Sequence, residues 1–104
     1  TMTKGEVTKG LKSLEGVGWK VYTFNNFRAM PTGSIGFPDH VLAHPAKKKI
    51  IFIEVKIGKD KLSLEQAETL TTLAACCEGT NHEVMIFPGK CKTVSELQEY
   101  IFNS

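Results

Sequence analysis

The sequence predicts a single α/β domain with a mixed central sheet flanked by helices. The apolar residues switch along the chain between the spacing of amphipathic helices and the alternation of strands. The resulting elements follow the order helix, three strands, helix, strand, helix. A chain of 104 residues is the size of one domain and buries roughly two-thirds of its unfolded surface. We therefore expect residues 1–104 to form one domain.

The N-terminal part of the chain predicts a helix, a strand and a loop. An amphipathic helix is predicted from residue 3 to about residue 15, and Gly16 and Gly18 end it. Its apolar residues recur at spacings of four and three: Val7, Leu11 and Leu14. Aromatic and β-branched residues at 19–24 predict the first strand. Turn residues follow and predict a long loop over 25–36.

Residues 37–44 and 48–57 predict two further strands, which the PAKK turn joins as a hairpin. In the second of these strands, alternate residues point to opposite faces of the sheet. One face carries Ile51, Ile53, Val55 and Ile57, and the other carries Ile50 and Phe52. We therefore expect both faces of this strand to be buried, as in a covered α/β sheet.

A capping box predicts the start of the next helix, because Ser63 is followed three residues later by Gln66. The apolar positions of this helix are expected to cover the sheet: Leu64, Ala67, Leu70, Leu73, Ala74 and Cys77. Residues 82–88 predict the fourth strand, and Thr93 with Glu96 caps a last helix. A helical crossover of this kind is right-handed, so the fourth strand should run parallel to one of the first three.

The composition and the apolar runs of the sequence argue against a membrane-spanning or a secreted protein. With 41% hydrophobic and 23% charged residues the chain is ordinary for a globular domain, and no apolar run is long enough to cross a membrane. The N-terminal TMTKGEVTKG lacks the apolar stretch of a signal peptide. We expect an intracellular protein, in the cytoplasm or in the host-cell cytoplasm if the source is viral, with no membrane partner.

The distribution of charge is uneven, although the net charge is only +2. Residues 1–62 carry 11 basic and 5 acidic residues, whereas residues 63–104 carry 2 and 6. A basic half favours attraction to a polyanion such as nucleic acid. The three cysteines, Cys76, Cys77 and Cys91, are too few for a disulfide framework. We expect reduced thiols that are at least partly buried.

Two charged residues interrupt the hydrophobic strand at 48–57. Glu54 and Lys56 project from the same face, about 7 Å apart along the chain. Burying either charge alone costs several kcal/mol, so the two must pair, bind a cation or lie at an opening. Asp39 supplies a second carboxylate, because the hairpin places its strand beside that of Glu54. Two hard oxygen donors suit Mg²⁺ or Mn²⁺.

These residues resemble the motifs of the PD-(D/E)xK nuclease superfamily, and more narrowly the VRR-NUC group of resolvase-like nucleases. The matching positions are Pro38-Asp39, Glu54-Val55-Lys56 and Gln66. The resemblance extends over nearly the whole chain, from the helix that bears Glu6 through Gly36-Phe37-Pro38-Asp39 to the closing strand. It implies a restriction-endonuclease-like αβββαβ core with an additional C-terminal helix.

The resemblance also implies a reaction. Asp39, Glu54 and the backbone carbonyl of Val55 would hold one or two Mg²⁺ or Mn²⁺ ions against the scissile phosphate. Lys56 would orient or help to deprotonate the attacking water. Gln66 would lie near the site, and Glu6 is a further acid of the kind that family members place near the metal. The expected reaction is endonucleolytic hydrolysis of DNA phosphodiesters that leaves a 5′-phosphate and a 3′-hydroxyl.

Similar stand-alone members suggest branched DNA, such as four-way junctions, cut by a homodimer. Basic residues expected to meet the DNA backbone are Lys59, Lys61, Arg28 and Lys48. His40 and His44 alternate with Asp39, and we expect them on the opposite face of the sheet. The aromatic residues of the first strand are expected to build the core: Trp19, Tyr22 and Phe24.

Other interpretations stay open from the sequence. Glu54 and Lys56 alone are compatible with a structural salt bridge, and Asp39 with a turn residue. Gln66 is compatible with a cap, with a role at the site or with both, and Glu6 with an exposed helix charge. The domain is also compatible with a catalytically inactive nucleic-acid-binding module of the same fold. A third alternative is a nuclease that acts on flaps, single strands or a restriction-type site.

Overall fold

The computed structural model describes residues 2–24 and 36–104, and its elements follow the predicted order. In chain order they are α1 (Lys4–Lys12), a 3₁₀ helix (Ser13–Val17), β1 (Lys20–Thr23), β2 (His40–His44), β3 (Lys49–Val55), α2 (Leu64–Cys77), β4 (Glu83–Phe87) and α3 (Val94–Phe102). The predicted caps at Thr93 and Ser63 are present, and Thr3 caps α1. The loop predicted at 25–36 lies outside the described residues except for its last position.

The four strands form one mixed sheet in the order β1-β2-β3-β4. The first three are antiparallel and β4 runs parallel to β3, so the predicted hairpin and the predicted parallel crossover are both confirmed. β2 begins one residue after Asp39, and β3 ends one residue before Lys56. Because β2 and β3 are antiparallel, these two ends lie together at one end of the sheet.

One side of the sheet, the core face, carries the hydrophobic core. Ile51, Ile53 and Val55 of β3 are fully buried there. The apolar stripes of α1 and α3 pack in the same cluster, with Leu11 and Leu97 fully buried. Each such side chain contributes about 1.5–3 kcal/mol by leaving water. This core fixes β3 as the rigid strand on which Glu54 is mounted.

The other side of the sheet is only partly covered, and we call it the open face. Its residues are Lys20, Tyr22, Phe24, Asp39, Val41, Ala43, Ile50, Phe52, Glu54, Val84 and Ile86. Ile50 and Phe52 are half-buried, so the expectation that both faces are buried is wrong for this side. The reason is that α2 packs mainly against β4. Of its predicted apolar residues only Leu70 is buried, and Leu64 is exposed.

The open face also corrects the interpretation of the aromatic residues. Trp19 lies in the core, as predicted, but Tyr22 and Phe24 are exposed. Tyr22 lies on β1, the edge strand farthest from α2, and Phe24 directly follows that strand. Of the three free cysteines, Cys91 is buried and Cys76 is exposed. The expectation that the thiols are at least partly buried is therefore wrong for Cys76. Among residues 2–24 and 36–104, no helix is long and apolar enough to cross a membrane.

Candidate active site

Asp39 is held at the entrance to β2 by its neighbours in the chain and in the sheet. Its Oδ2 accepts a hydrogen bond from the backbone N–H of Val55 at 3.0 Å. Its carbonyl accepts a hydrogen bond from the N–H of Phe24 at 2.7 Å. Pro38 is fully buried. The carboxylate therefore has a defined position beside the end of β3.

Glu54 is the buried centre of the site. Its side chain is 1% exposed, and its Oε2 lies 3.2 Å from Nζ of Lys56. The same Oε2 accepts a hydrogen bond from Nε2 of Gln66 at 3.1 Å. Its Oε1 is buried and has no hydrogen-bond partner in the part of the chain that the structure describes. One oxygen is thus fixed by two donors, while the other is left for a ligand.

The environment of Glu54 disfavours its own charge. Burial raises the pKa of this carboxyl group, and the nearby charge of Asp39 raises it further. The hydrogen bond and the positive charge of Lys56 oppose both effects without cancelling them. A bound cation would relieve both the desolvation and the repulsion between the two carboxylates.

Gln66 reaches Glu54 because the first turn of α2 is held in place. Its Oε1 accepts a hydrogen bond from the backbone N–H of Ser63 at 3.0 Å, and Oγ of Ser63 accepts one from the N–H of Gln66 at 3.1 Å. This reciprocal capping box occupies the amide oxygen and turns the amide nitrogen towards Glu54. Capping and the contact with Glu54, which the sequence leaves as compatible roles, are made by the same side chain.

Gly36 connects the segment of Asp39 to the same turn of α2. It has a φ of +93°, and a Cβ at this position would lie 2.6 Å from the backbone carbonyl of Glu65. Only glycine fits both the left-handed backbone and this close approach. The sequence shows the glycine three residues before Asp39, but the contact with α2 depends on tertiary packing.

The donor set fits a small divalent cation. Asp39 and Glu54 offer carboxylate oxygens, and the unpartnered Oε1 of Glu54 is a buried acceptor without a donor. Within residues 2–24 and 36–104, no cluster of three or more His, Cys, Asp or Glu could hold a metal ion. Two carboxylates leave several positions for water or phosphate, which suits Mg²⁺ better than a metal that needs a full protein cage. The carbonyl of Val55 is the further ligand that the motif implies.

Other residues singled out in the sequence lie around the site or away from it. Lys59 and Lys61 are exposed on the segment that follows Lys56. Lys48 lies at the tip of the β2–β3 turn, at the opposite end of β3. Glu6 is exposed on α1 and lines a surface depression with Met2, Lys92, Thr93 and Val94. Arg28 lies outside the described residues.

The two histidines of β2 point to the core face, as expected. His40 is 3% exposed and its Nδ1 lies 3.1 Å from Oγ1 of Thr23. Burial lowers the pKa of His40, although the adjacent charge of Asp39 acts in the opposite direction. The ring of His44 packs edge-on against Trp19. Neither imidazole shares the face of the two carboxylates.

An Asp-Glu pair with a lysine and a glutamine, at the end of an α/β sheet, defines a nuclease-type domain of the PD-(D/E)xK class. The sequence profile of the VRR-NUC domain matches residues 15–86, and the chain belongs to this family. The match extends from before β1 into β4 and therefore includes every site residue except Glu6. Nucleases of this class usually use divalent metals. Comparisons with curated proteins and with solved structures gave no match.

Proposed function

We propose that this domain is a metal-dependent endonuclease that hydrolyses DNA phosphodiester bonds with Mg²⁺ or Mn²⁺. Asp39 and Glu54 would bind the cation together with the carbonyl of Val55. Lys56 would orient or help to deprotonate the attacking water. The observation that carries the proposal is the buried Glu54, whose Oε2 is held by Lys56 and Gln66 while its Oε1 has no partner among the described residues. A purely structural salt bridge would not need a second carboxylate beside it.

The chain's own residues divide the chemistry between them. When bound, a divalent cation lowers the pKa of a coordinated water and neutralises charge on the phosphate. Asp39 and Glu54 would hold that cation, because each carboxylate is itself fixed by a separate hydrogen bond. The ammonium of Lys56 would add positive charge beside the phosphate and a donor that orients the attacking water. Gln66 positions Glu54 rather than touching the substrate.

Basic residues near the site would bind the DNA backbone. Lys59 and Lys61 lie three and five residues after Lys56, and both are exposed. Backbone contacts of this kind add affinity without sequence preference and weaken as the salt concentration rises. We therefore propose that the enzyme recognises the shape of DNA, with four-way junctions or other branched DNA as substrates.

A homodimer would bring two such sites to two strands of one junction. Its existence is tested by light scattering at several protein concentrations, alone and with a synthetic junction. A dimer that binds one junction supports the arrangement, and a monomer that cuts the junction at one strand per encounter contradicts it.

The function is tested by cleavage of labelled DNA by the wild-type chain with Mg²⁺, Mn²⁺ or EDTA. The panel contains a four-way junction, a matched linear duplex, a flap and a single strand. We expect metal-dependent cutting that is fastest on branched DNA. Preferred cutting of another member of the panel would assign that substrate instead. Junction binding without cleavage, and without heat of metal binding in calorimetry, would identify an inactive nucleic-acid-binding module.

A further inference from the structure

Two exposed aromatic side chains share the open face with the candidate active site. Tyr22 is 46% exposed and Phe24 is 37% exposed. The pairing of β1 with β2 and of β2 with β3 aligns Tyr22 with Val41 and Phe52. Continued by one residue, the same register aligns Phe24 with Asp39 and Glu54. The ring of Phe24 therefore lies beside the carboxylates, and the ring of Tyr22 lies two residues farther along the same side of the sheet.

Three aromatic rings in contact extend from the edge of the sheet towards Glu54: Phe24, Phe37 and Phe52. Phe24 packs edge-on against Phe37, with ring centroids 5.7 Å apart. Phe37 packs edge-on against Phe52 at 6.1 Å, and Phe52 lies two residues before Glu54 on β3. These contacts hold the ring of Phe24 in a fixed orientation although more than a third of it is exposed.

Tyr22 also lines a cleft of about 530 Å³ at the end of the sheet near the β2–β3 turn. Its other lining residues are Ala43, His44, Pro45, Lys48, Lys49, Ile50 and His82. Ile50 lies four residues before Glu54, about 13 Å away along β3. A strand of nucleic acid can span this distance with roughly four stacked nucleotides.

The charges around these rings suit a polyanion. Lys20 lies on the open face next to Tyr22, and Lys48 borders the cleft. On the described strands and their ends, the only acids of this face are Asp39 and Glu54, which are the proposed cation ligands. Phosphate would thus meet lysines along the face and the metal site at its end.

We propose that Tyr22 and Phe24 form a stacking surface for unpaired DNA bases, so that the branched substrate exposes unpaired bases at its branch point, next to the scissile phosphate. The inference rests on the proposed nuclease function and specifies its substrate. Aromatic rings beside a basic groove bind single strands by stacking, because every base has a π face. In an intact duplex the bases are already stacked, and these rings would gain little from it.

The test is the affinity for an oligo-dT single strand and for a duplex of equal length, measured by fluorescence anisotropy in EDTA. Tyr22→Leu and Phe24→Leu keep apolar bulk but remove the ring, whereas Tyr22→Phe keeps the ring. Phe102→Leu is the matched control, because Phe102 is an exposed aromatic residue on α3. A fluorescent adenine analogue, whose emission falls when it stacks, reports the contact itself.

We expect each leucine variant at β1 to weaken single-strand binding roughly tenfold and to lose the stacking signal. Duplex binding should change less than twofold, and Tyr22→Phe and Phe102→Leu should behave like the wild type. Equal losses on both DNAs, or no loss on the single strand, would overturn the inference. A dimer that becomes a monomer in Tyr22→Leu, with DNA affinity unchanged, would overturn it too and assign the face to a second copy.

Cleavage by the same proteins separates this inference from the proposed function. If the wild type cuts no DNA with either metal but the ring variants lose single-strand binding, the nuclease proposal fails and the stacking surface stands. If the wild type cuts DNA and the ring variants cut and bind single strands as well as it does, the stacking surface fails and the nuclease proposal stands.

Discussion

Glu54 combines a structural cost with a proposed function. A carboxylate with an exposure of 1%, next to a second carboxylate, raises the free energy of the folded chain until something neutralises it. Lys56 and Gln66 satisfy one of its oxygens. The second oxygen is left without a donor among the described residues, as expected for a group that binds a ligand.

Replacing Glu54 should separate stability from metal binding. Because the pKa of Glu54 is raised above 4.5, the metal-free protein loses stability as the pH rises from that value through the folded pKa. We therefore predict that Glu54→Gln unfolds at the same temperature as the wild type or higher in EDTA at neutral pH. The measurement is thermal unfolding monitored by circular dichroism.

In Mn²⁺ the order of the two unfolding temperatures should reverse, with the wild type more stable than Glu54→Gln. At 100 times the dissociation constant, binding stabilises the wild type by about 2.7 kcal/mol, and Glu54→Gln should gain almost none of this. Glu68→Gln, on the exposed side of α2, is the control and should respond to Mn²⁺ like the wild type. An equal response of Glu54→Gln to the metal would show that this carboxylate is not a ligand.

Gln66 should act on the reaction and not only on the helix. Gln66→Ala removes both the capping bond and the contact with Glu54, whereas Ser63→Ala removes only the hydroxyl that caps the helix. Both variants should lose about 1 kcal/mol of stability. Only Gln66→Ala should lower kcat as well, by roughly 10- to 100-fold, in steady-state cleavage. Equal kcat values in the two variants would restrict Gln66 to its capping role.

At the scale of elements, the site depends on how the segment before β2 meets α2. Gly36 allows this contact, since its Cβ position is 2.6 Å from the backbone of Glu65. Such contacts are rigid because neither partner is a flexible side chain. The distance between Asp39 on one element and Gln66 on the other is set there.

A methyl group at Gly36 should therefore disturb the site. Gly36→Ala combines left-handed strain with a backbone clash, and we predict a stability loss of at least about 2 kcal/mol with cleavage slowed on the order of 100-fold. Gly58→Ala is the control. Gly58 has a φ of +67° and open space around its Cβ position, so this variant has the backbone strain without the clash. Urea unfolding and single-turnover cleavage measure both effects. Similar cleavage rates in the two variants would contradict the role of this contact.

The contacts of Glu83, which connect β4 to α3, predict that the stability of the fold depends on pH. Burial alone would raise the pKa of Glu83, but hydrogen bonds from Lys90 and Tyr100 outweigh it and hold the pKa below 4.5. Because the folded pKa is lowered, the stabilisation is complete above the unfolded value and is lost as the pH falls through the folded one. Glu83 lies on the core face, opposite the face of the two carboxylates, so activity should not change with its protonation.

Glu83→Gln should lower the free energy of unfolding by about 1 kcal/mol near neutral pH, after allowance for solvent screening. The difference from the wild type should shrink as the pH falls below 4.5. Glu99→Gln, exposed on α3, should match the wild type throughout. A difference for Glu83→Gln that stays constant in acid would contradict the assigned contacts. The measurement is urea unfolding across the pH range.

At the scale of the molecule, the two faces of the sheet have different roles. The core face is closed by α1 and α3 and supplies stability. The open face is partly covered by α2 and carries the candidate site at one end. Because Glu54 lies on β3 and Asp39 directly precedes β2, and the core face anchors both strands, the site is rigid while its surroundings on the open face remain accessible.

Local patterns explain what could be predicted from the sequence. The capping box at Ser63 and Gln66 and the alternation along β3 depend on residues a few positions apart, and both were confirmed. The juxtaposition of Asp39 and Glu54 followed from the hairpin. The exposure of Tyr22 could not be predicted, because it depends on which strands α2 covers. That choice is made by tertiary packing, and no periodicity within β1 reports it.

We propose that Asp39, Glu54 and Lys56 form a metal-dependent nuclease site. The measurement that tests it most directly is single-turnover cleavage of a four-way junction by the wild type and Lys56→Met, with Lys12→Met as a control on the exposed end of α1. We predict cutting that requires Mg²⁺ or Mn²⁺, is unchanged in Lys12→Met and is slowed about 10²- to 10³-fold in Lys56→Met. Cleavage that persists in EDTA, or an unchanged rate in Lys56→Met, would contradict the account.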